Sequence, residues 1–250
     1  MTLTSKGKPR AWWRLVATGT VLFIALGAAL LAWMQPAIAA LACPTCFGME
    51  RLSGEVFVDS VMSAQERARL LAMMAEGDQK VAGFYGELRE NPVVIACASE
   101  VCSRRLGARG ARAVSYASFG MRLSPAGLDP TIIAHERAHI ELHGRLGLVR
   151  FLAGAVPAWF DEGLAVVISD DPRYLLPGDA KDRCRAEPDG DLPRGMTEWI
   201  RRTSADQSLY AKAACRVLRW ANAHGGRAGL FALIDRVAGG EPFDAAFGRG

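Results

Sequence analysis

The first strong pattern along the chain is an uncharged run from Leu15 to Met34, in which only Thr18, Gly19, Thr20 and Gly27 fall short of apolar. At about 1.5 Å per helical residue it spans roughly 30 Å, the thickness of a bilayer core. Residues 35–63 then read as a membrane-proximal linker with a short strand at Glu55–Asp59. Ser63-Ala64-Gln65-Glu66 is a capping box, and the helix it opens is expected to reach about Leu88, with Asn91 and Pro92 stopping it. Val93-Val94-Ile95 predicts a short buried strand, and Ala113–Tyr116 and Met121–Leu123 predict two weaker strands around a turn.

From Asp129 onward the period becomes helical. Asp129 is the expected N-cap of a helix with Pro130 at its first position and Gly144 as its stop, just after His143. A second helix starts near Pro157 and carries Trp159 to Ile168. Ser169 to Arg194 is rich in Asp, Pro and Gly and reads as irregular. Helical spacing returns from Ser208 to Ala223 and from Ala228 to Val237, each stopped by a pair of glycines. A few strands followed mostly by helices predict the α+β class. The expected order is a basic tail (1–14), a transmembrane helix (15–34), the linker (35–63) and a mainly helical domain with a small sheet (64–250).

Charge and cysteine usage refine this picture. The formal net charge of +4 is carried by Lys6, Lys8, Arg10 and Arg14, ahead of the first acidic residue, so the rest of the chain is balanced. A nucleic-acid-binding surface needs a basic excess on the folded part, which excludes that partner class. The basic cluster, with Trp12, Trp13 and Trp33 at the ends of the apolar run, predicts a cytoplasmic N-terminus and a periplasmic body on a single-pass anchor. Two other readings stay open: a cleaved signal peptide with Ala37-Ile38-Ala39 as its site, and a degraded lipoprotein box at Ala40-Leu41-Ala42-Cys43. All three export the body. All 6 cysteines lie beyond the run, which reads as up to three disulfides. Connectivity is open at this level; short loops favour Cys43–Cys46 and Cys97–Cys102, leaving Cys184–Cys215.

The candidate chemistry lies on the helix opened by Asp129, at His135-Glu136-Arg137-Ala138-His139. Two histidines four apart share one helical face, so both imidazoles can bind one ion, and imidazole suits Zn²⁺. Glu136 is offset by about 100° and reaches a water on that ion rather than the ion itself. A catalytic zinc needs a third protein ligand and one open position. A carboxylate on a second helix packed against the first meets that need, with Glu162 the candidate and Asp161 the alternative. His143 extends the row but lies about 12 Å along the axis from His135, too far to share its ion; a surface or outer position is expected.

The HExxH pair followed by Trp159-Phe160-Asp161-Glu162-Gly163-Leu164-Ala165 resembles the gluzincin zinc peptidases. The run from Tyr210 to Leu218, with Gly225-Gly226, Leu230, Leu233-Ile234, Gly239-Gly240 and Phe247, is similar to the tail of small gluzincin-like domains of bacterial envelope proteins. The resemblance covers roughly residues 90–248 and implies a zincin-like fold, one Zn²⁺ held by His135, His139 and Glu162, and Glu136 as general base. It also implies Tyr210 as oxyanion donor and a peptide or protein as substrate, with Val114–Leu123 offering an edge to extended peptide. Val166 stands where thermolysin-like members have an acidic partner for a ligand histidine, so the sequence names no such partner. Two rival readings remain: a non-catalytic envelope module that keeps the fold and binds a partner, and a redox protein using Cys43-Pro44-Thr45-Cys46.

Overall fold

The computed structural model describes residues 13–21, 23, 27, 34–108, 110–178 and 181–248. Strands β1 (Met49–Ser53), β2 (Val56–Asp59), β3 (Val93–Ala96), β4 (Ala113–Tyr116) and β5 (Gly120–Leu123) form one sheet in the order β1-β2-β3-β5-β4. The β1–β2 and β4–β5 pairs are antiparallel, whereas β2–β3 and β3–β5 are parallel. Helix α1 (Pro36–Ala42) precedes the sheet, α2 (Ala64–Tyr85) crosses from β2 to β3, and α3 (Glu100–Arg105) lies between β3 and β4. The helical half follows as α4 (Pro130–Leu146), α5 (Leu148–Leu152), α6 (Ala158–Ser169), α7 (Met196–Thr203), α8 (Ser208–Ala223), α9 (Arg227–Ala238) and α10 (Phe243–Gly248). The class is α+β.

Alternation along the strands sorts side chains onto two buried faces. Val58, Val94, Ala96, Met121 and Leu123 pack on Leu70 of α2 and on Ile133 and Ile140 of α4. Phe57 and Ile95 point the other way, onto Ala40 and Leu41 of α1 and onto Cys102 and Leu106. The second face of α4, with Ala134, Ala138, Leu142 and Leu146, enters a larger core built with Trp159, Phe160, Trp199, Leu233 and Phe243. That leaves a third face of α4, the histidine row, for the site.

Local signals set the helix starts. Ser63 accepts the Glu66 N–H, and the Glu66 carboxylate accepts the Ser63 N–H at 2.8 Å, the complete capping box. Asp129 caps α4 by accepting from Thr131 and Ile132. Helix α4 runs through the expected stop at Gly144 and ends at Gly147, whose φ of +77° lies in the left-handed region. Gly144 lies within the helix, where the Glu90 side chain occupies the space a Cβ would take.

Two expectations are corrected. Among the described residues no helix is long and apolar enough to cross a membrane. The described helical stretch 13–21 carries Arg14, Thr18, Gly19 and Thr20, which lower its apolar character. Residues 22, 24–26 and 28–33 of the expected span, and most of the tail, lie outside the described residues. The stretch expected as a linker, 35–63, holds the expected strand as β2 but also supplies α1 and β1, because Ala37, Ala40, Leu41, Val56, Phe57 and Val58 have apolar faces to bury.

Three disulfides, Cys43–Cys46, Cys97–Cys102 and Cys184–Cys215, are present. The last pins the irregular segment after α6 to α8, helped by a bridge between Leu175 and Cys184. Helices α6 and α8 approach so closely at Gly163 that a Cβ would sit 2.6 Å from the Ala213 carbonyl carbon and oxygen. Gly163→Ala is therefore expected to destabilise the fold by about 1–3 kcal/mol, read as a lower midpoint in chemical denaturation; an unchanged midpoint contradicts this close contact.

Candidate metal centre

Helix α4 carries His135, Glu136, His139 and His143, and α6 packs across it carrying Asp161 and Glu162; all six side chains are buried. Three donor atoms converge between the helices. Nε2 of His135 lies 3.3 Å from Oε2 of Glu162, Nε2 of His139 lies 3.1 Å from Nε2 of His135, and Nε2 of His139 lies 3.6 Å from Oε2 of Glu162. Bonds of about 2.0–2.2 Å around a tetrahedral ion put neighbouring donors about 3.3–3.6 Å apart. The triangle has the dimensions of one face of such a polyhedron, so these three residues can hold a metal ion.

Asp161 is turned away from that triangle. Its Oδ1 accepts from Nδ1 of His139 at 2.6 Å and its Oδ2 accepts from Nε2 of His143 at 2.8 Å. With Nδ1–H of His139 committed to a carboxylate, the Nε2 lone pair is left aimed into the triangle. Asp161 is thus the acidic partner that the sequence did not name. The family pattern points one helical turn after Glu162, at Val166, whereas here a neighbour about 100° round the helix reaches the outer side of the same ring. His143, expected at the surface or in an outer position, is buried in contact with Asp161.

Charge completes the description. Burial pushes the Glu162 carboxyl up, but hydrogen bonds from His135 and His139 outweigh it and hold the group at about 2. Burial acts the same way on Asp161, and the charges of His139 and His143 overcome it, so its pKa lies well below the usual carboxylate range. His139 is drawn well above its ordinary value, with burial opposing and the Asp161 charge prevailing. Two ionised carboxylates in a buried pocket call for positive charge, which either a proton on His139 or a cation on its Nε2 supplies.

Glu136 follows His135 on α4 and is buried, and Tyr210 faces the His135 ring. Tyr210 on α8 is partly buried, with its ring 6.5 Å from that of His135, stacked at 5.0 Å on Tyr174 and edge-on to Trp199 at 5.1 Å. Burial first, then the Glu162 charge and in smaller part that of Glu136, raise its hydroxyl well above the ordinary value, so it is a proton-bearing donor.

Other clusters of potential ligands are different in kind. His139, His143 and Asp161 come together at hydrogen-bond distances, shorter than a ligand edge. The groups around Cys97–Cys102 and Cys184–Cys215 have their sulfurs in disulfides, with no thiolate to offer. No family model, curated protein or solved structure matches this chain.

Metal titration of the purified protein is expected to give one tight divalent site. His139→Ala and Glu162→Ala should each weaken it by at least about 100-fold, the upper range for losing an outer hydrogen-bond partner alone. Equal binding by wild type and both variants contradicts the assignment of the triangle.

Proposed function

We propose that this chain is a zinc-dependent peptidase of the gluzincin type, with His135, His139 and Glu162 as metal ligands. The observation that carries the reading is the triangle of Nε2, Nε2 and Oε2 donors, drawn from two helices, with Glu136 next in sequence to His135 and buried on the same helix. Two imidazoles and one carboxylate leave a fourth position for solvent, the arrangement of catalytic rather than structural zinc. The chemistry supplied by zinc at such a triad is Lewis acidity, which brings the pKa of a bound water toward about 7 and polarises a carbonyl.

The chain's own residues do the rest. Glu136 accepts the proton of the attacking water on a carboxylate oxygen and returns it to the nitrogen of the departing amine. The hydroxyl of Tyr210 donates to the oxyanion that develops on the former carbonyl oxygen. Asp161 keeps the His139 ring in one tautomer and one orientation while this happens. Strand β4 is one of the two edges of the sheet, a place where an extended peptide can add as a strand. The three disulfides favour an oxidising compartment as the place of action. The rival reading, a non-catalytic module, drew on the lack of an acidic partner for a ligand histidine and on an undefined substrate cleft; Asp161 answers the first of these.

Cleavage of an unbiased peptide library tests the proposal. The zinc-loaded protein should cut, while Glu136→Gln should keep its zinc and lose about 10²–10⁴-fold in rate. A wild type as inert as Glu136→Gln would replace this reading by the binding module. Tyr210→Phe should keep zinc and lose about 10²–10³-fold in kcat with little change in KM; an unaltered kcat removes Tyr210 from the machinery.

A further inference from the structure

The third histidine of the α4 row has a geometry that neither the HExxH pair nor the proposed chemistry uses. His143 is 5 % exposed, as deeply buried as the ligand His139. Its Nε2 lies 2.8 Å from Oδ2 of Asp161 and its Nδ1 lies 3.3 Å from the carbonyl oxygen of Ala117, so both ring nitrogens face acceptors. The ring is also gripped by its neighbours: Phe151 of α5 packs on it at 4.0 Å, and the His139 ring stacks on it at 5.7 Å. Ala117 sits in the turn between β4 and β5 with φ of +49°, a left-handed conformation that a non-glycine residue holds only when its surroundings require it.

We propose that His143 is a positioning residue for the metal centre, acting through Asp161 on His139 and tying that ligand to the turn of the β4–β5 hairpin. The inference rests on the metal-centre reading above and extends it outward. A carboxylate bonded only through Oδ1 can swing about its Cβ–Cγ bond, and the imidazole it orients swings with it. A second donor on Oδ2 removes that freedom. Here the donor belongs to a ring wedged between α5 and the hairpin, so the chain of contacts runs from His139 to Asp161 to His143 to Ala117 without leaving the buried interior. The edge strand beside the site is thereby held in fixed relation to the ligand.

Two substitutions separate this role from bulk packing. His143→Phe keeps a ring against Phe151 but removes both nitrogens. His143→Gln places an amide N–H about where Nε2 stands and can still donate to Asp161. The measurements are zinc affinity by chelator competition, the visible absorption of the cobalt-loaded protein, and the melting curve of each metal-free protein. His143→Phe should lose about 10-fold or more in zinc affinity and show an altered cobalt spectrum, and His143→Gln should recover most of the affinity and the wild-type spectrum. If His143→Phe does not fold, His143→Gln decides: a folded protein with wild-type affinity and spectrum supports the role. Wild-type affinity and spectrum in a folded His143→Phe would overturn it, and so would a folded His143→Gln that binds zinc no more tightly than His143→Phe. A wild type that takes up no ion overturns the metal-centre reading itself and this inference with it, whereas normal uptake by wild type and His143→Phe alike removes the inference alone.

Discussion

Two adjacent carboxylates, Asp161 and Glu162, are buried at 4 % and 8 % exposure against a row of three histidines. Taking an ionised carboxylate out of water costs several kcal/mol, which is recovered only where partners meet it at close range. Because neighbours on a helix diverge by about 100°, the pair divides its labour: Glu162 faces Nε2 of His135 and His139, and Asp161 faces Nδ1 of His139 and Nε2 of His143. Sliding α6 along α4 by even one residue would strand both charges. The register of these two helices is therefore set by electrostatics, and Gly163, lying against Ala213, lets α8 close over the back of α6 once that register is reached.

The opposite side of α4 is fixed by the same physics. Glu141 is fully buried, accepts the N–H groups of Arg89 and Glu90 at 3.1 and 3.0 Å, and has the guanidinium groups of Arg145 and Arg137 within 3.4 and 3.6 Å. It ties α4 to the segment between α2 and β3. Ile133 and Ile140 seat the same helix on the sheet, and Ala134, Ala138 and Leu142 seat it in the helical core. Rigid support on every side suits the proposed ligand set, since small errors in donor position would be costly to the proposed catalysis.

How much of this could be read from the sequence follows from how local each signal is. The Ser63–Glu66 box, the Asp129-Pro130 start and the β4–β5 turn are written in a few consecutive residues, and the structure places elements there. Helix α8 spans Ser208–Ala223, the stretch that its spacing marked out. The HExxH spacing likewise marked one helical face, and the structure brings Glu162 to it. Pairings between distant segments were not legible. Val56-Phe57-Val58 is buried on both faces and so lacks alternation, and its parallel partner Val94-Ile95-Ala96 lies a whole helix away. Gly144 looked like a stop because a glycine that accommodates a neighbour and a glycine that ends a helix are the same letter. The apolar run near the N-terminus was read from its hydropathy and its basic and tryptophan flanks, and among the described residues no helix is long and apolar enough to cross a membrane. Asp161 and His143 were visible as residues, but their contact depends on how two helices cross.

The central claim is that two imidazole nitrogens and one carboxylate oxygen, and no sulfur, surround a single ion. X-ray absorption at the zinc edge of the loaded protein reads this directly. The account predicts a first shell of nitrogen and oxygen only, at about 2.0–2.2 Å, with the outer scattering of two imidazole rings. A sulfur shell near 2.3 Å, or scattering from no imidazole at all, would contradict it.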